Sequence, residues 1–389
     1  MRLLHLSDLH LGKYVLEAPM LDDQREFLAG TAAYAAAHRM DGVLLAGDIY
    51  DRSVPPAEAV SLFDGFLSAL HEAGIPVFLI AGNHDSPERL AFGSRLFAGQ
   101  GVYMAGVYDG TVPTVELRDE YGPLILHLLP FLRPVDVREA LGVPASTTDE
   151  AVRAALAVSP PDPTVRHVLL AHQFVCAGGQ APDTCDSETP AVGGSDPVDV
   201  SAFDGYDYVA LGHLHRAQRV GRDTVRYAGS PLRYSLSEVS HPKSFTVVTL
   251  AEKGRVEAEL VPITPRRQLR KIEGAIDRLL MAGREDGEGR EDYIWAVLDE
   301  EALNPAERLR AVYPNLLHVE VAARRREDEE GAEEAQPIRT PGELFAAFYR
   351  EMTGADLTAA QEAALADSLQ AAQAAGEEGS APGNKEETL

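Results

Sequence analysis

The sequence predicts an α/β fold with a small second domain of β-α-β-α-β order and a helical C-terminal tail. In the first hundred residues, short uncharged apolar segments alternate with segments that favour helix. Each apolar segment ends in polar residues, which is the layered pattern of an α/β sheet. A second set of alternating segments begins near residue 265, and the length of 389 residues suggests two or three domains.

The first strand is predicted over residues 3–6, an apolar segment that is followed at once by Asp8 and His10. Such a segment is typical of a buried central strand whose C-terminal end opens into a loop. Alternate residues of an extended chain project to the same face, so Asp8 and His10 can approach one metal ion. The tripeptide D-x-H is weak evidence by itself, and its weight depends on the residues at the ends of the later strands.

Two further strands in the first third end in the same way. Gly47 and Asp48 follow one apolar segment, and the sequence G-N-H-D at 82–85 follows the next. Helices are predicted between these strands from Ala-rich composition and from apolar residues at helical spacing. In chain order, the predicted elements are a helix over 22–40, a strand over 43–46, a helix over 55–73, a strand over 76–81 and a helix over 87–97.

The middle of the chain is predicted to be rich in strands. A strand over 165–171 ends at His172, and a strand over 208–211 ends in the sequence G-H-L-H at 212–215. A helix is predicted over 144–163. The intervening segment 176–200 is a long loop, and a loop of that length inside a compact domain is usually functional or mobile.

Beyond residue 264, predicted strands and helices alternate in β-α-β-α-β order, and a charged stretch and a helical tail follow. Within the tail, Leu344, Phe345, Phe348 and Tyr349 share one helical face, which either folds back on the body or docks onto another chain. We expect five regions in chain order: a main domain over 1–264, a small domain over 265–325, an acidic linker over 326–339, a helical segment over 340–375 and a disordered tail over 376–389.

Composition excludes several classes of protein. The net charge of −26 argues against a general nucleic-acid coat, so affinity for DNA must come from a local patch or a partner. Two cysteines are too few for a thiolate metal site and indicate reduced cytoplasmic thiols. The sequence has neither an apolar run long enough to span a membrane nor the pattern of a signal peptide.

Five apolar strands thus end in residues that can bind a metal ion. For any single one, a hydrogen-bonded turn residue is the simpler explanation, but five together favour a metal site, because carboxyl ends of parallel strands meet at one edge. Donors of nitrogen and oxygen without sulfur suit manganese, iron, zinc or magnesium, and the mixture favours manganese. Two ions sharing Asp48 would predict hydrolysis of a phosphate ester by metal-activated water.

The pattern D-x-H, G-D, G-N-H-D, H, G-H-x-H resembles the calcineurin-like metallophosphoesterase superfamily. The flanking sequences are similar to those of the SbcD-type nuclease subunits of bacteria, relatives of the double-strand-break repair nuclease. The matching stretches include L-H-L-S-D-L-H-L-G-K at 4–13, D-S-E-T-P-A-V-G-G at 186–194 and Y-A-G-S-P-L-R-Y-S at 227–235. The resemblance implies a two-sheet sandwich flanked by helices, with 265–325 as a capping domain that helps to place DNA.

The resemblance also assigns the donors to two divalent ions, most readily Mn²⁺, that share one carboxylate. One ion is assigned to Asp8, His10, Asp48 and His215, and the other to Asp48, Asn83, His172 and His213. The adjacent His84 would face the phosphate and protonate the leaving 3′ oxygen, or stabilise the pentacoordinate state.

Three neighbouring residues are assigned lesser roles. Asp51 takes the place of a histidine in archaeal relatives, which leaves a helper role for this position in doubt. Arg52 either contacts phosphate or forms a surface salt bridge. Asp85 is expected to orient the loop that carries His84.

The family acts as an ATP-regulated exonuclease on double-stranded DNA and endonuclease on single strands and hairpins, with a coiled-coil ABC ATPase of the SbcC type. This sequence contains no G-x-x-x-x-G-K-[ST] motif, so any ATP dependence must come from that partner. The face with Leu344 and Phe348 would bind the root of the partner's coiled coil. The predicted helices after Pro56 and Pro87 match the family's homodimer region, within a heterotetramer, or else simply pack in the core; their apolar residues are Leu62, Phe66, Leu70, Leu90 and Phe92.

The main rival function is hydrolysis of small phosphodiesters or phosphoproteins at the same metal site. The sequence G-D-I-Y-D-R at 47–52 is similar to phosphatase sequences. Against this function, G-N-H-D stands where that family has a glutamate, and a phosphatase would not need the extra domain and tail. An adaptor with a decayed site is disfavoured because no ligand position is lost.

Overall fold

A computed structural model describes the protein over residues 1–188, 197–322, 349–350, 356–358, 361 and 365. The predicted linker over 326–339, the tail over 376–389 and the side chains of Leu344, Phe345 and Phe348 lie outside the described residues.

The chain forms two units, Met1–Val321 and Ala322–Leu389. In the second unit, the Gln361 amide donates to the Tyr349 hydroxyl at 3.1 Å. The elements below all belong to the first unit.

Two six-stranded mixed sheets form the body of the first unit. In chain order, their strands are β1 (Arg2–Leu6), β2 (Gly42–Ala46), β3 (Val77–Ile80), β4 (Val102–Ala105), β5 (Thr114–Asp119), β6 (Gly122–Leu128), β7 (Arg166–His172), β8 (Tyr208–Gly212), β9 (Gln218–Val220), β10 (Arg222–Tyr227), β11 (Ser244–Leu250) and β12 (Val256–Pro262). The first sheet has the order β12-β11-β1-β2-β3-β4, and the second has the order β9-β10-β8-β7-β6-β5. The four strands from β1 to β4 are parallel, as are β10, β8, β7 and β6.

Strand β1 shows why the sheets stack on each other. Leu4 and Leu6 belong to the apolar cluster that packs under helices, whereas Leu3 belongs to the cluster between the two sheets. His5 also points between the sheets, where its ring nitrogens contact the Tyr208 hydroxyl at 2.9 Å and the Leu211 carbonyl at 3.2 Å. Since both faces of β1 are buried, its residues do not alternate between apolar and polar, and all four residues from Leu3 to Leu6 are buried.

Helices cover the outer faces of both sheets, which confirms the predicted two-sheet sandwich. Over the described residues of the sandwich, the helices are α1 (Leu21–Ala37), α2 (Ala57–Glu72), α3 (Pro87–Leu90), α4 (Ser94–Ala98), α5 (Pro134–Leu141) and α6 (Thr148–Ala157). Phe27 of α1 and Phe66 of α2 pack on the first sheet, and Val152 of α6 packs on the second. Among the described residues, no helix is long and apolar enough to cross a membrane.

Two helix predictions were wrong in detail. The predicted helix over 87–97 is divided into α3 and α4, because Gly93 adopts a left-handed conformation with φ of 74°. The predicted helix over 144–163 is the shorter α6, which begins with a capping box at Thr147 and Glu150. Helix α5 was missed; it begins at Pro134, a residue suited to the first helical turn.

Residues beyond β12 form a small parallel sheet with the predicted β-α-β-α-β order. Its elements are β13 (Leu269–Gly274), α7 (Ile276–Glu285), β14 (Tyr293–Leu298), α8 (Pro305–Arg310) and β15 (Leu316–Val321). Buried Asp23 of α1 accepts hydrogen bonds at 2.8 Å from Arg267 and from the Tyr293 hydroxyl, which connects this sheet to the sandwich.

The apolar residues of the α2–α4 region were expected either to form a homodimer contact or to pack in the core. The structure shows which of them are buried and which are exposed. Leu62, Phe66, Leu70 and Leu90 are buried in the core of the first sheet. Phe92, by contrast, is 82% exposed, and Leu96 of α4 is 80% exposed. The four buried side chains therefore pack in the core, whereas Phe92 and Leu96 are available on the surface.

Candidate metal centre

The carboxyl ends of five strands meet at one place, and they come from both sheets rather than from one. β1, β2 and β3 belong to the first sheet, and β7 and β8 belong to the second. The His172 ring connects the sheets, because its Nδ1 lies 2.8 Å from the Ala46 carbonyl oxygen. Gly47 and Gly212 permit this approach: a Cβ at Gly47 would overlap the His172 ring, and one at Gly212 would overlap the Ala46 carbonyl.

Four of the predicted donors lie on strained backbone. The φ angles are 52° at Asp8, 44° at His10, 49° at Asp48 and 113° at His213. Residues other than glycine rarely adopt positive φ, and each instance costs about 1–3 kcal/mol. The strand ends therefore turn sharply to direct these side chains into the cluster.

The first group of donors comprises Asp8, His10 and His215, which are buried and have ligand atoms within 4.8 Å of one another. The Nε2 atoms of His10 and His215 are 3.1 Å apart. The Asp48 carboxylate lies 3.6 Å from His10 Nε2. Two imidazole nitrogens and two carboxylates thus surround one point.

The second group of donors is centred on Asp48 and Asn83. The Asp48 carboxylate lies 3.4 Å from His172 Nε2. The Asn83 side-chain oxygen lies 3.0 Å from His172 Nε2 and 3.0 Å from His213 Nδ1. The seven side chains predicted as donors therefore meet, with Asp48 between the two groups.

The donor chemistry fits divalent cations. The Ala46 carbonyl can only accept a hydrogen bond, so His172 donates from Nδ1 and directs Nε2 into the cluster. Nitrogen and oxygen donors without sulfur suit manganese, iron, zinc or magnesium. The groups able to hold ions are Asp8, His10, Asp48, Asn83, His172, His213 and His215.

The electrostatics of the Asp8 and Asp48 carboxylates also favour a bound cation. Burial, reinforced by the nearby Asp48, raises the pKa of Asp8 to about 6. Burial would also raise the pKa of Asp48, but His172 and the other histidines hold it well below its usual range. Burial opposes charge on His172 as well, yet Asp48 raises the pKa of this histidine to about 9. A bound cation would stabilise the charged form of both carboxylates.

His84 stands beside the donors rather than among the seven. Its backbone N–H donates to Asp48 at 2.9 Å, and its Nδ1 lies 3.1 Å from the Asp51 carbonyl oxygen. The ring is half-buried, and its centroid lies 4.8 Å from that of His10 in an edge-to-face arrangement. Because Nδ1 faces a carbonyl, Nε2 is the ring nitrogen left for a substrate.

The three residues assigned lesser roles occupy different environments. Asp51 forms an ion pair with Lys13 at 2.7 Å. The Arg52 side chain is 74% exposed and approaches the Asp51 carboxylate only to 3.6 Å. Asp85 is buried and accepts three backbone N–H groups, from Ile49, Tyr50 and Gly82, at 2.9–3.1 Å. Asp85 therefore connects the loops that follow β2 and β3.

Several residues that support the donors were not singled out from the sequence. The Gln24 amide donates to the His10 carbonyl at 2.8 Å, and the Tyr234 hydroxyl donates to the Leu9 carbonyl at 2.5 Å. Glu188 accepts the backbone N–H of His215 at 2.6 Å. Glu188 and Tyr234 lie in stretches already matched to the nuclease family, which was the available signal.

A cavity of about 540 Å³ lies beside the cluster. Asn83 and Asp85 line it on the side of the donors, and Tyr108, Phe131 and Arg133 line it farther away. The cluster thus adjoins a space large enough for part of a substrate.

Two family models and a curated relative match this chain. A family model described as calcineurin-like phosphoesterase matches residues 1–217, and one described as type 5 capsule protein repressor C-terminal domain (SbcD_C) matches residues 265–353. The chain is 30% identical over 324 residues to the SbcD component of the SbcCD nuclease of Staphylococcus epidermidis, covering 82% of this chain and 84% of that protein.

Two solved structures are also similar, each at 15% identity. A dimetal phosphatase from Danio rerio has a TM-score of 0.39, with coverage of 68% of this chain and 99% of that one. The phosphopantetheinyl hydrolase of Mycobacterium tuberculosis has a TM-score of 0.34, with coverage of 59% and 89%.

The family model for the phosphoesterase spans more than half of the chain, and the similarity to the nuclease subunit covers 82% of it. This chain therefore belongs to the calcineurin-like metallophosphoesterases and, within them, to the family of SbcD-type nuclease subunits.

Proposed function

We propose that the protein is a manganese-dependent DNA nuclease subunit, with exonuclease activity on double-stranded DNA and endonuclease activity on single strands and hairpins. It would serve DNA repair, recombination and replication in the cytoplasm, in association with the nucleoid. The observation that carries the proposal is the convergence of seven nitrogen and oxygen donors in a chain of the SbcD-type family.

The proposal assigns Asp8, His10, Asp48 and His215 to one ion. It assigns Asp48, Asn83, His172 and His213 to the other. Bound divalent ions in such a site activate water and stabilise charge on phosphoryl oxygens.

His84 is proposed as the catalytic residue that touches the substrate. The Asp51 carbonyl holds its Nδ1, so the ring can present Nε2 to the leaving 3′ oxygen. Asp85 keeps the His84 loop against the loop that follows β2, because it accepts N–H groups from both. Arg52, exposed and weakly paired, is free to contact a phosphate.

The proposed partner is a coiled-coil ABC ATPase of the SbcC type. The relative from Staphylococcus epidermidis is named as a component of an SbcCD nuclease. We assign residues 1–264 to the nuclease domain, 265–325 to a capping domain that helps to place DNA, and 326–339 to a linker ahead of the partner-binding segment 340–375. Leu344, Phe345, Phe348 and Tyr349 are the proposed contact face.

Deletion of residues 340–389 should abolish binding to the ATPase while leaving manganese-dependent cleavage of simple phosphodiesters. A pull-down with the purified ATPase measures binding, and a chromogenic phosphodiester measures cleavage. Unchanged binding by the shortened chain would refute the assignment of this segment.

A homodimer through the α2–α4 surface is the proposed arrangement within the complex. Phe92 and Leu96 are exposed there, beside a cavity of about 320 Å³ that Phe92 and Phe97 help to line. Exposed apolar patches of this kind mark interaction sites. In sedimentation experiments, the wild type should be a dimer and Phe92→Glu should be a monomer. A wild type that is monomeric at micromolar concentration would contradict the proposal.

One assay tests the function as a whole. Labelled duplex DNA and a phosphopeptide are incubated with the protein and Mn²⁺, with or without the ATPase, and with a chelator as control. We expect cleavage of DNA that requires Mn²⁺ and is extended by the ATPase. Hydrolysis of the phosphopeptide alone would favour the phosphatase alternative, and no hydrolysis of either would favour an adaptor.

A further inference from the structure

All the polar groups of His215 except one are held by side chains outside the proposed ligand sets. Its backbone N–H donates to Glu188 at 2.6 Å, and its carbonyl accepts from the buried Lys243 ammonium at 3.0 Å. Its ring Nδ1 lies 2.7 Å from the Ser187 hydroxyl oxygen. Only Nε2 is left to face the metal cluster.

Two oxygen atoms face the ring Nδ1 of His215: the nearer is the Ser187 hydroxyl, and the other, at 3.4 Å, belongs to the Glu238 carboxylate. A hydroxyl has a single proton, and Ser187 donates it to the Glu238 carboxylate at 2.5 Å. The hydroxyl must therefore accept from His215, so the ring proton lies on Nδ1. Nε2 then has its lone pair free, and it points toward His10 Nε2 at 3.1 Å.

Glu238 is itself fixed by a buried network. Its side chain is fully buried and forms an ion pair with the Lys243 ammonium. It also accepts the Tyr234 backbone N–H at 3.1 Å. Lys243 in turn donates to the Ser230 hydroxyl at 2.8 Å, which leaves the pair no freedom to rotate away. A side chain this constrained can orient Ser187 without a large entropic cost.

We propose that Ser187 is a positioning residue for His215, backed by Glu238 and Lys243. It fixes the Nδ1–H tautomer and presents Nε2 to the ion that Asp8, His10 and Asp48 also bind. This inference rests on the proposed function, because it takes His215 to be a metal ligand. Outer partners of this kind orient the ligand and raise its basicity.

The test compares Ser187→Ala with Ser235→Ala in the full chain. Both serines donate to the same oxygen of Glu238, Ser187 at 2.5 Å and Ser235 at 3.2 Å, but only Ser187 contacts His215. Calorimetric titration with Mn²⁺ should show two ions for wild type and Ser235→Ala. In Ser187→Ala, one of the two should bind about 10–100-fold more weakly, as is typical when an outer partner is lost.

Two readouts distinguish positioning from a general structural effect. Cleavage by Ser187→Ala should recover at high Mn²⁺ concentration, and Ser187→Thr, which keeps the hydroxyl, should restore the affinity. Two tight ions in Ser187→Ala would overturn the inference and leave the proposed nuclease intact. A wild type that binds no Mn²⁺ would instead overturn the proposed function.

A measurement on the wild type is independent of how the variant folds. With ¹⁵N-labelled histidine, the metal-free protein should show the His215 ring protonated at Nδ1. Protonation at Nε2 would overturn the inference, because Ser187 would then not set the tautomer.

Discussion

Strand β7 connects two ends of the sandwich that are built differently. At its first residue, the buried Arg166 guanidinium contacts both oxygens of Asp119, at 2.5 and 3.0 Å. It also donates to the carbonyls of Gly122 and Ala251, and the Met1 ammonium approaches Asp119 to 3.0 Å. Opposite charges are paired at this end.

At the last residue of β7, the arrangement is reversed. His172 joins Asp8 and Asp48, two buried carboxylates close to each other, on backbone with positive φ at both aspartates. Burial raises the pKa of Asp8 to about 6, so its charge is unfavourable at neutral pH in the metal-free protein. Arg166, by contrast, holds the pKa of Asp119 well below its usual value.

The difference shows that one end of the sheet stabilises the fold and the other is arranged for ions. Strain and like charges cluster where function requires them and are offset elsewhere in the structure. Substitutions at the two ends should therefore have opposite consequences for activity and for stability.

The largest effect is expected for Asp48→Ala, since Asp48 lies between the two donor groups. Cleavage of DNA should fall to the uncatalysed level, because neither proposed ion keeps its full set of ligands. Loss of an outer partner alone costs about 10–100-fold, so loss of a shared donor should exceed that. The exposed Asp223→Ala is the control; substantial Mn²⁺-dependent cleavage by Asp48→Ala would contradict the site.

His84→Ala should keep both ions and lose about 10²–10⁴-fold in kcat, the range for a general acid. Calorimetry with Mn²⁺ measures the ions, and single-turnover cleavage of duplex DNA measures the rate. The exposed His38→Ala removes an imidazole elsewhere on the surface and should change neither. Full activity of His84→Ala would exclude its proposed role.

Arg166→Met should act only on stability. Breaking a buried ion pair by removing one partner costs about 3–5 kcal/mol of unfolding free energy, measurable by urea denaturation. Arg118→Met, on the edge strand β5, should cost less than about 1 kcal/mol because its pair with Glu116 is solvated. Cleavage at low temperature should be unchanged, and a loss of Mn²⁺ binding would show that the two ends are coupled.

Asp8→Asn should raise the stability of the metal-free protein at pH 8, by roughly 3 kcal/mol at most. The pKa of Asp8 is higher in the folded protein than in the unfolded chain, so its contribution is fully favourable below pH 4. That contribution is lost as the pH rises through about 6.

Urea denaturation in EDTA from pH 4 to pH 8 measures this difference between wild type and Asp8→Asn. The two curves should separate as the pH rises, with the variant the more stable. Equal stability of wild type and Asp8→Asn at pH 8 would mean that the charge on Asp8 does not destabilise the metal-free protein.

Local signals explain which predictions succeeded. A short apolar segment ending in Asp8 or Asp48 is visible in a window of ten residues, and so are Ala-rich α1 and the β-α-β-α-β order beyond residue 265. The division of the helix at Gly93 was missed, although a glycine inside a helical pattern is a local signal of a helix end. The segment α5 is short, and its pattern was too weak to identify.

By itself, the sequence determined the strand ends, the chemical types of the donors and the family. Tertiary structure alone decided that ends from two separate sheets meet, since Gly47 and Gly212 allow a close approach that no local pattern records. It also decided that Ser187 and Glu238 converge on His215 from distant positions. Such contacts depend on packing between segments far apart in the chain, and spacing along the sequence does not encode them.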